Sequence, residues 1–253
     1  MKLRLDKAMV EQGITPSRER AVGLILAGRV LVDEQKQTKA GFAIPSDAVI
    51  RVLGEDMPYV SRGGLKLRGA LDHWAIDLTG RTCVDIGAST GGFTDCMLQA
   101  GAVAVLAVDT GYGQLAMSLR QDARVRLMER TNARLLEPSV LQREAAVQSA
   151  VVPTFFSMDV SFISATLVVP AVVRSLGEAW RGEAVILVKP QFEAGREWVG
   201  KGGIVRDPAA YETAINRVRG AVTGSGGTTV DVIDSPITGT EGNREFLLFA
   251  RFA

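Results

Sequence analysis

Apolar positions along this chain change their period, and the changes outline its elements. Near the start, Leu5, Met9 and Val10 fit one face of a helix over 4–12. Ala21, Leu24, Ile25 and Leu26 fit a second helix over 18–27. Ser17, with Pro16 before it, suits the N-cap of that helix, and Gly28 suits its stop. Short strands follow at 29–33 and, with alternating character, at 48–53. Gly54-Glu55-Asp56-Met57-Pro58 reads as a linker.

A helical pattern then runs over 65–75, with Leu67, Ala70, Leu71 and Trp74 on one side. Beyond it, apolar runs alternate with helices. Strands are predicted at 82–86, 103–108, 125–128, 154–158 and 184–188, and helices at 92–100, 165–176 (with Pro170 inside) and 208–223. Such alternation implies a largely parallel sheet covered on both faces. The last two strands, 229–234 and 245–252, have no helix between them and are predicted to pair antiparallel. The fold class is α/β, with a small α+β unit in front. No internal repeat is evident.

Composition excludes disordered and collagen-like classes: the 253 residues are 47% hydrophobic and 23% charged. The net charge of +1 taken alone argues against a strongly basic nucleic-acid binder, but it is an average. Residues 1–71 hold 12 basic and 8 acidic side chains, and the remainder holds 17 and 20. A basic front on a mildly acidic body suggests two parts with different partners. Cys83 and Cys96 are too few for a disulfide scaffold and show no metal spacing; both read as core residues in a reducing compartment. The charged start, Met1-Lys2-Leu3-Arg4-Leu5-Asp6-Lys7, has no signal-peptide apolar region. The longest uncharged runs, 145–158 and 160–173, fall short of the roughly 20 residues of a spanning helix. A cytoplasmic location, with no membrane partner, is expected.

The sharpest motif runs from Val84 to Asp95, from a strand through a glycine turn into a helix. In doubly wound sheets, ligands bind at this end of the strands. A nicotinamide reading wants G-x-G-x-x-G, but the middle position is Ser89. The better fit is D-x-G-x-x-x-G on Asp85, Gly87 and Gly91, which resembles the first motif of S-adenosylmethionine-dependent methyltransferases. An acid before the turn suits an ammonium group and would repel a pyrophosphate. Asp109, after the second strand, is placed to accept ribose hydroxyls, a device that NAD enzymes share. Further charges stand at or near strand ends: Asp159, Lys189 and Glu245, with Lys66 at the start of the helix before the sheet.

Six segments carry a family resemblance: Ser61–Leu67, Asp85–Asp95, Asp109–Gln114, Met158–Ser164, Val188–Glu193 and Gly242–Glu245. Together they closely resemble the TlyA family, over essentially the whole chain. The resemblance implies a small RNA-binding domain at 1–58, a linker at 59–64 and an FtsJ-like methyltransferase domain at 65–253, a Rossmann-like class I fold with a seven-stranded, mostly parallel sheet. It implies methyl transfer from S-adenosylmethionine to a ribose 2′-hydroxyl, a cytidine by family precedent, in the RNA of ribosomal subunits. No metal and no protein partner are implied. The family's Lys-Asp-Lys-Glu tetrad falls on Lys66, Asp159, Lys189 and Glu245, with Glu241 a nearby competitor for the last place. Lys189 takes the role of base, the acids orient the lysines, and Lys66 assists. The cofactor would lie on Asp85, Gly87, Ala88, Ser89, Thr90, Gly91, Gly92, Phe93, Asp109, Asn132 and Asp159.

Residues 1–53 resemble the small RNA-binding domain shared by a ribosomal small-subunit protein and several pseudouridine synthases. Arg4, Lys7, Arg18, Arg20 and Arg29, and Arg62 beyond them, are the implied RNA contacts. The glycine-flanked loop 195–203 admits two readings: a cover that stacks Trp198 or Phe192 on a splayed base, or a connection whose tryptophan packs on the body. The sole histidine, His73, is expected at a helix end beside Trp74. Rival readings are a pore-forming haemolysin, a nonenzymatic RNA-binding ribosome factor and, more weakly, a nicotinamide dehydrogenase.

Overall fold

The computed structural model describes residues 2–53, 57–149, 152–177 and 179–253. Residues 54–56 of the linker-like stretch and 150–151 of the uncharged run lie outside the described residues. The chain divides into two compact units, Met1–Met57 and Pro58–Ala253.

The first unit holds β1 (Lys2–Arg4), α1 (Leu5–Glu11), α2 (Arg18–Leu26), β2 (Val30–Val32), β3 (Gln35–Gln37), β4 (Ala43–Pro45) and β5 (Ile50–Val52). Both helices lie where the apolar spacing puts them, and the Ser17 side chain caps α2 by accepting from the Arg20 backbone N–H. Leu5, Met9, Ala21, Leu24, Ile25, Val30 and Ile44 form its core. Strands β3, β2 and β5 make one small sheet, and β1 pairs with β4. Three of these strands have no signal in the sequence. β3 is wholly polar, and it pairs with β2 through Asp33 and Glu34, both at positive φ. Such a turn favours Asn-Gly, so Asp-Glu does not advertise it.

The second unit begins with α3 (Gly63–His73), β6 (Thr82–Ile86), α4 (Gly92–Gln99), β7 (Ala104–Val108), α5 (Met117–Arg120), β8 (Val125–Met128), α6 (Val140–Gln148) and β9 (Phe155–Met158). It continues with α7 (Ala165–Leu176), β10 (Gly182–Val188), α8 (Pro190–Glu193), α9 (Pro208–Gly224), β11 (Gly227–Asp234) and β12 (Phe246–Phe252). Seven of its strands form one sheet in the order β11-β12-β10-β9-β6-β7-β8. The β8, β7, β6, β9 and β10 strands are parallel. β12 inserts antiparallel between β10 and β11. It therefore starts at the edge where the parallel strands end, which brings Glu245 to Lys189.

Alternate residues of each strand enter opposite cores. Val84, Ile86, Phe156, Met158 and Ile186 pack under α7 and α9, while Cys83, Val105, Phe155, Val185 and Leu187 pack under α3 and α4. Cys83 and Cys96 are both buried in the second core, and burial pushes each thiol up to about 12. Residues 59–64, expected as a linker, lie in this second unit: Tyr59 is buried and the Val60 N–H donates to Asp95. Among the described residues no helix is long and apolar enough to cross a membrane.

Candidate active site

The glycine turn is a piece of forced backbone. Gly87 and Gly91 have φ of 85° and 97°, and Ser89 between them has φ of 49°. A Cβ on Gly87 would run into the backbone oxygen of Asp159, and one on Gly91 into the side chains of Leu119 and Leu115. Only glycine fits both demands. The Gly87 and Ala88 N–H groups donate to the Val108 carbonyl, which fastens the turn to the end of β7.

Asp85 sits beneath this turn rather than in front of it. It is fully buried, accepts from Thr94 Oγ1 at 2.6 Å and Ser157 Oγ at 3.2 Å, and lines neither of the cavities described below. Burial pushes its carboxyl up to about 7, against the lowering effect of those two hydroxyls. The expected direct contact between Asp85 and a ligand ammonium is thus absent from this geometry. The reason is that its side chain points into the core and ties β6 to α4 and β9. Asp109, one residue past β7, accepts from the Ser89 N–H at 2.8 Å and the Gly111 N–H at 2.6 Å.

Two cavities meet over the turn. The smaller, about 370 Å³, is lined by Gly87, Ser89, Asp109, Asn132, Asp159 and Phe162 among others. The larger, about 570 Å³, is lined by Lys66, Lys189, Asp159, Ser161, Glu245 and the turn residues Gly87, Ala88, Ser89, Thr90, Gly92 and Phe93. Gly87, Ser89, Asp159 and Ser161 border both. Of the predicted cofactor residues, only Asp85 and Gly91 lack a place on either wall. Asn132 has a second duty, since its side chain caps the turn at 133–135 by accepting from the Arg134 N–H.

All four predicted catalytic groups reach the larger cavity. Lys66 Nζ donates to Glu245 Oε2 at 2.6 Å, and both side chains are nearly buried, 10% and 3% exposed. Lys189 Nζ lies 2.5 Å from Asp159 Oδ1, with side chains 9% and 21% exposed. That contact is off hydrogen-bond alignment; the aligned bond of Lys189 goes to Ser161 Oγ at 2.7 Å. Ser161 was legible only as a possible cap for the next helix, a task that Ser164 performs. Lys66 can approach because Gly92 carries no side chain: a Cβ there would meet Ser61 and the backbone of Gly64 at the start of α3. Glu241 is exposed and lines neither cavity, whereas Glu245 lines the larger one. A Cβ on Gly239 would press on the Glu245 carboxylate, so the segment before β12 also shapes this pair.

The rim holds two surprises. Phe162, a bulky residue at φ 63°, is 92% exposed and borders the smaller cavity. Phe192 is half-buried with its ring 5.4 Å from that of Phe162. Trp198, in contrast, packs against the main core, which is the second reading of its loop. Asn243, buried, latches the same loop by accepting from the Val205 N–H and donating to the Gly203 carbonyl. His73 ends α3 with its ring edge-on to Trp74 at 5.5 Å, and its Nε2 is 3.5 Å from exposed Asp231.

The predicted RNA-contacting cations are distributed unevenly. In the first unit, Arg4 and Arg18 both hold the buried carboxylate of Asp6, with Arg4 bidentate at 3.0 Å and Arg18 Nε at 2.7 Å. Lys7 is exposed. Arg20 donates to the Met57 carbonyl and Arg29 to the Leu53 carbonyl, so part of each guanidinium serves the fold. Arg62 is exposed on the wall of the larger cavity in the second unit. A buried lysine beside a hydroxyl and a carboxylate, facing a cavity, can hold and deprotonate a substrate hydroxyl.

Two family patterns match the chain: FtsJ-like methyltransferase over residues 59–252 and S4 domain over residues 3–50. The Bacillus subtilis protein YqxC is 46% identical over 98% of this chain and 85% of its own length. The Mycobacterium tuberculosis 16S/23S rRNA (cytidine-2'-O)-methyltransferase TlyA is 42% identical over 98% of this chain and 89% of its own length. A solved structure from Streptococcus thermophilus, carrying a haemolysin name, is 42% identical with a TM-score of 0.73, covering 100% of this chain and 89% of that one.

Proposed function

This chain belongs to the FtsJ-like methyltransferases that carry an S4 domain, and from that premise we propose that it transfers a methyl group from S-adenosylmethionine to the 2′-hydroxyl of a cytidine in ribosomal RNA. The observation that carries this reading is the pair of nearly buried lysines, each with its own acid, facing one cavity beside the glycine turn. The smaller cavity fits a nucleoside cofactor: a backbone stripped of side chains at Gly87, an acid at Asp109 and apolar wall from Val108 and Val168. Asp109 and Asn132 would hold its ribose and base, and the turn its amino-acid end. When bound, S-adenosylmethionine supplies an electrophilic methyl group that needs an oxygen held in line.

The chain's own groups prepare that oxygen. A ribose hydroxyl is a weak nucleophile until its proton is loosened. In this reading Lys189 Nζ first gives up one proton to solvent and then, as a neutral amine, accepts the proton of the hydroxyl, while Ser161 and Asp159 keep the nitrogen aimed into the cavity. Lys66, held by Glu245, supplies positive charge where the oxygen becomes negative. Burial strengthens both effects, because little water competes. Phe162 stands exposed at the rim, where a base turned out of its helix can stack on its ring. The S4 unit supplies phosphate contacts through Arg4, Lys7 and Arg18. A ribosomal substrate would put the protein's work in the cytoplasm.

The test is transfer of labelled methyl from S-adenosylmethionine by purified protein to small subunits, large subunits and naked rRNA. Label on the 2′-oxygen of one cytidine is expected. Absence of transfer to all three, or label on a base, would overturn the reading.

A further inference from the structure

Both partners of Lys189 stand on one loop. Asp159 and Ser161 lie between β9 and α7, while Lys189 lies between β10 and α8. The parallel register of β9 and β10 ends at Met158 and Ile186. Beyond it, the gap between the two segments needs a separate tie. One lies four residues past Lys189. Glu193 is buried, its Oε2 accepts from Ser164 Oγ at 2.5 Å, and its Oε1 accepts from the Ala165 N–H at 2.7 Å. Its own backbone carbonyl accepts from Arg217 Nη1 at 2.6 Å, which fixes α8 to α9.

Glu193 caps the first N–H of α7 from a different element, which a local cap would not require. Ser164 already caps α7 through the Thr166 N–H. A buried carboxylate is unfavourable there, and burial pushes that of Glu193 upward. An apolar side chain would fill the same space without that cost, but it would have no direction. The carboxylate fixes both the distance and the rotation of the 159–164 loop against α8. The contacts close a ring: Lys189 to Ser161, along the chain to Ser164, across to Glu193, and back through α8 to Lys189. The contact between the exposed Phe162 ring and the half-buried Phe192 ring is a weaker tie between the same segments.

We propose that Glu193 is a positioning residue for methyl transfer, lacing the Asp159–Ser161 loop to the segment after Lys189 and thereby setting where the lysine nitrogen sits. It rests on the methyl-transfer reading above. It touches neither cavity, so it acts only through Lys189 and that loop.

Two readouts test it. In crystal structures, Glu193→Ala should separate Lys189 Nζ from Ser161 Oγ, and Glu193→Gln, which keeps the length and an acceptor for Ala165, should preserve the contact. In kinetics, Glu193→Ala should lower kcat about tenfold or more, leave the cofactor KM within about threefold, and be largely rescued in Glu193→Gln. Its effect should also be non-additive with Ser161→Ala. Val218→Ala, in the core of α9, gives a stability-matched control that keeps kcat. If Glu193→Ala does not fold, Glu193→Asp keeps the charge but falls short, and the same readouts apply. An unchanged Lys189–Ser161 contact in the variant, additive effects, or a kcat loss equalled by Val218→Ala would overturn the proposal. Failure of the wild-type protein to transfer methyl would instead overturn the functional reading, while the crystal comparison still decides whether Glu193 sets the lysine.

Discussion

The two units of this protein handle positive charge in opposite ways. In the first, one acid is buried and the cations look outward: Asp6 is sealed in, while the Arg4 and Arg18 side chains are 49% and 54% exposed. In the second, cation and acid are both enclosed, with Lys66 and Lys189 only 10% and 9% exposed. An exposed guanidinium held at its base by a buried carboxylate has donors left over for a polyanion, and salt screens its pull. An enclosed ammonium acts on whatever enters its cavity, with much less screening. The partner acid is buried in both units, so the difference lies in burial of the cation itself, and in the proposed function that is what separates cations offered to RNA from cations offered to chemistry.

The comparison breaks most sharply at Lys189. Lys189→Ala should lower methyl transfer at least about a hundredfold, with cofactor affinity by calorimetry close to wild type. A near-normal rate would mean that the enclosed cations are structural. Next in size, Glu245→Ala leaves Lys66 enclosed without its acid, and denaturant unfolding should show a loss of about 3–5 kcal/mol. Replacing both partners by methionine should recover most of that stability but not the activity.

Two buried acids then give opposite pH signatures, one in each unit. Asp85 titrates near 7 in the folded protein, above its ordinary 3.8, so its contribution is favourable at low pH and fades as pH rises from about 4 through 7. Asp6 is held at about 2, first by Arg4 and then, against burial, by Arg18. Its contribution is present above about pH 4 and fades as pH falls toward 2. Thermal melts across pH should therefore flatten between 4 and 7 in Asp85→Asn, and between 4 and 2 in Asp6→Asn. A wild-type slope retained in either variant would assign the titration elsewhere. The smallest effect belongs to Lys7→Ala, which should leave stability unchanged and reduce the salt dependence of rRNA binding by about one unit of slope.

Much of this molecule was legible in its sequence because its cores are periodic. The strands of the large sheet are short apolar runs, and Gly87, Gly91 and the strand-end charges stood out against them. The four candidate catalytic groups, read from the sequence as charges at strand ends and a helix start, all line one cavity, and Glu245 was preferred to Glu241 for its place before β12. What was hidden lacks period or depends on contacts distant in sequence. β3 has no apolar residue, and its turn uses Asp-Glu at positive φ. α6 carries charge and polarity around much of its surface, so its face toward the sheet is faint. The orientation of Asp85 follows from Thr94 and Ser157 on two other elements. Ser161 and Glu193 gain their meaning only when the loops after β9 and β10 are brought side by side. Arg4 and Arg18 read only as RNA contacts until Asp6 is seen beneath them, accepting from both.

The bond between Lys66 and Glu245 spans 179 positions of the chain. No short fragment can therefore carry the four enclosed charges, and no folding intermediate that lacks β12 has assembled them. Closing so long a loop costs entropy before any contact rewards it, so the pair forms late, after the parallel strands are in place. A proteolytic nick that releases the segment from Gly239 onward would remove the acid that holds Lys66 together with β12, whose side chains enter both cores. Cofactor binding and catalytic competence should thus part company during refolding, with the first returning before the second.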